Sequence, residues 1–88
     1  MNRAEAYAIL SRELGVWRAR TYDRLVGCVG RPAASRIVRI GQEDVTVTVE
    51  VSWADERKRS LRIAATADGP SCWRLERLEE TVEVGPST

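Results

Sequence analysis

The sequence predicts an α+β domain with two N-terminal helices packed on one face of a four-stranded antiparallel meander sheet. Three observations lead there. Up to about residue 30, apolar side chains recur at three- and four-residue steps behind polar caps. From residue 35 onward the period becomes two. Short runs rich in Gly, Asp and Pro then separate the alternating stretches, as turns between neighbouring strands do.

The first helix is announced by Asn2 and Glu5, which have the spacing of a capping box. Behind them Tyr7, Leu10, Leu14 and Trp17 form an apolar stripe, with Ala6 and Ile9 alongside. The helix ends between Leu14 and Arg18, either at Gly15 or one turn later. Thr21 then has the chemistry of a second N-cap. Tyr22, Leu25, Val26 and Val29 follow the helical template, Asp23 suits the first turn, and Gly30 and Pro32 stop the run.

Ser35 to Ile40 reads as a short strand, and residues 41–44 as a turn. The run from Val45 to Trp53 is the strongest signal in the chain. Val45, Val47, Val49, Val51 and Trp53 alternate with Thr46, Thr48, Glu50 and Ser52. Successive side chains of a strand face opposite ways, so this strand has one apolar and one polar face. Residues 54–60 form a charged hairpin loop. Leu61, Ile63, Ala65 and Ala67 make the inward face of a third strand, and Asp68, Gly69 and Pro70 a turn. Residues 72–80 fit a helix through Leu75, Leu78 and Val82. The charge order opposes the helix dipole, which selects a return strand over 72–77 with a last extension over 81–84. Gly85 to Thr88 is a frayed tail.

Eighty-eight residues make one domain, spanning 1–88, whose small core would gain from a second subunit. The net charge of +1 conceals a division. Residues 1–39 hold eight Arg against three acids, for +5, and residues 40–88 hold six basic against ten acidic side chains, for −4. A nucleic-acid binder would instead concentrate uncompensated positive charge on one face, with stacking aromatics among it. The N-terminus carries Arg3, Glu5, Arg12 and Glu13 where an export signal needs an apolar run, and no run is long enough to cross a membrane. A bacterial-type cytoplasmic location follows, and the Arg-rich basic content, with Lys58 the lone lysine, fits a GC-rich genome. Cys28 and Cys72 are then reduced thiols, which the fold brings near one another without a bond.

Two resemblances add to this. Thr21 to Pro32, a short helix ending Gly-x-Pro before an antiparallel meander, resembles the helix-to-sheet junction of β-lactamase-inhibitor-like and SmpA-like domains. The resemblance implies a helix-helix-sheet layout and action by binding proteins. The lipoprotein signal of the SmpA group is missing, so no envelope role is carried over. From Tyr22 to Pro86 the order of Val49-Glu-Val-Ser-Trp53, Asp55, Leu61-Arg-Ile63, Asp68-Gly69 and Trp73-Arg74 is similar to that of small uncharacterised bacterial proteins. These combine a valine-rich strand ending Trp-x-Asp with a tryptophan-bearing strand, and the likeness implies a fold and no activity.

Catalysis is not expected. Without histidine the usual base near neutral pH is missing, and Asp55 and Glu56 lie in an exposed loop beside three cations. Neither a nucleophile-elbow nor a phosphate-loop motif occurs, two thiols without histidine do not make a zinc site, and no cofactor is implied. The expectation is a non-catalytic protein-interaction or regulatory module, working on a protein partner or as a homodimer. The alternative is an accessory subunit or small-ligand-binding domain beside a larger enzyme. The candidate partner-binding residues are Arg57, Arg59 and Arg62 as a basic cluster, Trp73 and Arg74 as an aromatic–arginine pair, and Glu79 and Glu80 in the acidic C-terminal run. Each has a plainer reading: a solvated loop, core packing for one tryptophan against Trp53, and a solvated face.

Overall fold

The computed structural model describes residues 2–70 and 75–85. Its elements are α1 (Arg3–Arg18), α2 (Tyr22–Val26), β1 (Ala34–Ile40), β2 (Glu43–Trp53), β3 (Leu61–Pro70) and β4 (Leu75–Val84). The strands form one four-stranded antiparallel sheet in the order β1-β2-β3-β4, so β1 and β4 are its edges. The class is α+β. Helix α1 lies across β3 and β4 on one face.

Local chemistry sets each boundary. The Asn2 side chain accepts a hydrogen bond from the Glu5 N–H at 3.0 Å, satisfying one orphan donor of the first turn. Gly15 stays helical and α1 runs on to Arg18, the later of the two ends that the spacing allowed. The Arg20 guanidinium then stacks on the Trp17 ring, 4.0 Å from its centroid. Thr21 caps α2 by accepting from the Arg24 N–H at 3.3 Å. Gly27 ends α2 at once. The helical pattern through Val29 therefore overstated it, because the chain passes into turns from residue 27 that still bury Leu25 fully.

Strand β2 keeps its alternation: Val45, Val47, Val49 and Val51 are buried while Thr46, Thr48 and Glu50 face the other way. Register places Val49 beside Ala34 of β1 and Ala65 of β3. With Leu10, Leu14, Trp17, Leu25, Leu61 and Ile63 these valines make the core, each buried aliphatic side chain contributing about 1.5–3 kcal/mol. Only residues 41 and 42 join β1 to β2. Gly41 sits at φ 62°, the conformation a two-residue hairpin places at its first central position.

Two expectations are corrected here. Asp68, Gly69 and Pro70 are not a turn but the end of β3, paired with Arg77, Glu76 and Leu75. Proline is tolerated there because it closes the strand. Equally, the C-terminal segment is one strand over Leu75–Val84, in place of a strand over 72–77 with a separate extension. Residues 72–74, with Cys72, Trp73 and Arg74, lie outside the described residues. No described helix is long and apolar enough to cross a membrane.

Candidate functional site

The β4 edge and the adjoining flank of α1 form a concave surface. Tyr7, Ser11, Leu14, Gly15 and Arg18 from α1 face Glu80 and Val82 from β4 across a groove of about 540 Å³. The helical spacing of 7, 11, 14, 15 and 18 puts these five on one flank. On β4, Glu76, Leu78, Glu80, Val82 and Val84 share the helix-covered side, since Ala67, Ala65, Ile63 and Leu61 oppose the last four. Glu80 is thus a carboxylate on the apolar side of the sheet. It remains exposed because β4 is an edge and the groove opens beside it.

Among the described residues, no helix covers the opposite face. There Arg62 lies 3.7 Å from Glu83, and Arg77 Nε donates to Asp68 Oδ1 at 2.6 Å. That hydrogen bond, and then the Asp68 charge, raises the Arg77 pKa above its ordinary value, with Glu79 adding to it. Glu50, Ser52, Ala64, Glu79 and Thr81 complete a shallow polar dish with Arg62 and Glu83. At the far end of β4, Arg3 Nε donates to Glu76 Oε2 at 2.7 Å, tying the start of α1 to the edge strand. This hydrogen bond, followed by the Glu76 charge, raises the Arg3 pKa. Among the described residues, neither Glu79 nor Glu80 forms an ion pair.

The five candidate residues that are described do not converge. Arg57 and Arg59 sit in the β2–β3 loop, where Asp55 accepts from the Arg59 N–H at 2.9 Å through its side chain and from the Lys58 N–H at 3.2 Å through its carbonyl. An acid built into the loop therefore organises that basic cluster. Arg62 lies on the open face and points away from the groove side. Glu79 and Glu80 are neighbours on β4 that face opposite ways, and Trp73 and Arg74 fall outside the described residues. What the spacing did not disclose is the groove itself. Tyr7 and Leu14 belong to the expected apolar stripe of α1, yet Tyr7 is 39% exposed because it overhangs the edge of the sheet. Ser11 and Arg18 carry no sequence signal at all.

No residue group suited to holding a metal occurs among the described residues. No family model, curated protein or solved structure matches this chain.

Proposed function

We propose that this domain is a non-catalytic protein-interaction module of a bacterial-type cytoplasm, and that it takes an extended segment of its partner along β4. On this reading α1 and α2 together cover one face of the sheet and leave the other face and both edges open. The observation that carries the reading is the groove of about 540 Å³ lying directly beside an edge strand of ten residues. An added strand would hydrogen-bond to the open side of β4 and drop alternate side chains into the groove, the arrangement of strand-addition binders. Leu14, Val82 and the Tyr7 ring offer apolar contact, while Glu76, Glu79, Glu80 and Glu83 give the edge a negative character that favours a basic segment.

The volume of the groove also suits a small ligand, which is the second reading. Such sites hold a few converging, desolvated polar groups, and no polar or charged side chain is buried among the described residues. That favours the extended segment.

The test is a nuclear magnetic resonance titration with a seven-residue peptide of alternating Arg and Val. Shifts concentrated at Tyr7, Ser11, Glu80 and Val82, and severalfold weaker binding by Glu80→Lys, are the expected result. Shifts confined to the β2–β3 loop, or none, would overturn the proposal.

A further inference from the structure

The two edges of the sheet differ in charge. Strand β1 carries Arg36 and Arg39 and no acid, whereas β4 carries Glu76, Glu79, Glu80 and Glu83 against Arg77 alone. Both are long enough to template another strand, and neither has the interior proline or bulge that usually blunts an edge. Strand β1 also exposes Ile37 to 70%, an apolar side chain at an edge where charge is the usual protection.

We propose that the segment received by β4 is β1 of a second copy of this chain, in a head-to-tail arrangement that continues the sheet. This rests on the reading of β4 as a strand-accepting edge and names its occupant. Topology permits it without rearrangement. In a four-stranded antiparallel meander, β1 and β4 run in opposite directions. A second copy in the same orientation therefore offers β1 antiparallel to β4, with its helices on the same side of the extended sheet.

Register narrows the arrangement further. The helix-covered side of β1 holds Ala34, Arg36, Val38 and Ile40, because Val49, Val47 and Val45 oppose the first three. Pairing all seven β1 residues within Leu75–Val84 while keeping the two faces continuous leaves two registers. One sets Arg36 opposite Glu80 but also Arg39 opposite Arg77, a like-charge pair that opposes association, and Ile40 opposite Glu76. The other sets Arg39 opposite Glu79, Ile37 opposite Thr81, Ile40 opposite Leu78 and Ala34 opposite Val84. In that register Arg39, which Asp44 of its own copy approaches at 3.7 Å, faces Glu79, while Val38 stands opposite Glu80 and Arg36, held by Glu13 of its own copy, stands opposite Val82. A heterologous contact of this kind does not close on itself, so assembly continues past the dimer.

Sedimentation velocity over a range of protein concentration and salt tests this on the full chain. The wild type is expected to grow beyond dimer with concentration and to dissociate as salt rises, since the Debye length falls from about 10 Å at 0.1 M to about 3 Å at 1 M. Arg39→Glu and Glu79→Arg should each weaken association by about fivefold, the upper end for one cross-strand pair. Mixing the two variants should restore it, because each then meets the opposite charge. Stronger association by Arg39→Glu alone would overturn the register, and a closed dimer would overturn the head-to-tail geometry. A monomer at every concentration that still binds the Arg-Val peptide at Tyr7, Ser11, Glu80 and Val82 would overturn self-pairing and leave the strand-accepting edge standing. A monomer that binds no peptide would remove both.

Discussion

Arg36 of β1 and Glu13 of α1 are joined at 2.7 Å, and the same helix is tied to β4 through Arg3 and Glu76. One helix thus holds both edges of the sheet. The arginines are more than half exposed while Glu13 and Glu76 are mostly covered, so each pair anchors a solvated guanidinium to a sheltered carboxylate.

Breaking this anchor should cost little stability. Exposed ion pairs contribute about 0.2–1 kcal/mol, so Glu13→Gln and Arg36→Met are each expected to lower the unfolding free energy by no more than about 1 kcal/mol. A double-mutant cycle in urea should return a favourable coupling of the same order. Strictly additive losses would mean that the two side chains do not act as a pair in solution.

The two faces of β2 should respond very differently to charge. Val49 is 3% exposed, between Ala34 and Ala65. Val49→Asp places a carboxylate where nothing solvates it, at a cost of several kcal/mol in a domain worth about 5–15. Thr48→Asp, one residue along on the open face, should lower stability by less than about 1 kcal/mol. Thermal melting compares them directly, and equal melting temperatures would contradict the assigned faces.

The contrast also marks how far the fold was legible in the sequence. Strand β2 has four valines on one face and polar neighbours on the other, so period and propensity agree. Strand β4 was harder because it is an edge. Glu76 and Glu80 sit on its apolar side, where they reach solvent or Arg3, and this breaks the alternation that β2 keeps. Leu75, Leu78 and Val82 meanwhile mimic a helical repeat. Asp68, Gly69 and Pro70 have turn chemistry but are held in the ladder by pairing to β4. The groove was not legible, because it depends on where α1 lies against the sheet edge. Glu79 and Glu80 were legible only as acids, without the faces that divide them.

Two glycines should behave in opposite ways. Gly15 lies inside α1, and a Cβ there would meet nothing within 4 Å. Gly15→Ala is therefore expected to raise stability by about 0.5–1 kcal/mol. Gly41 sits at φ 62° in the β1–β2 turn, where a side chain costs about 1–2 kcal/mol. Gly41→Ala should lose roughly that amount in denaturant titration. A gain at Gly41 would show that the turn can adopt another conformation.

Cys28 carries a free thiol whose Sγ donates to the Arg24 carbonyl oxygen at 3.5 Å, and it is partly covered by the core. A bond to Cys72 is not expected, so reductant should leave the melting temperature unchanged and the intact mass should correspond to two thiols. A mass lower by about two daltons would establish a disulfide and contradict this.

Glu80 supplies the clearest separation of folding from binding. It occupies the helix-covered side of β4, opposite Ala65 and between Leu78 and Val82, where a β-branched apolar residue would complete the stripe. Glutamate is the poorer strand former at such a position, so Glu80→Val is expected to stabilise the isolated domain by up to about 1 kcal/mol. The same change removes the one carboxylate that lines the groove among the described residues. Binding of the Arg-Val peptide should therefore weaken although the fold is firmer, the usual relation at a site kept for function. Denaturant titration and peptide titration of this single variant read the two effects separately. A loss of stability would make Glu80 a structural residue, and unchanged peptide affinity would place the binding surface somewhere other than the groove between α1 and β4.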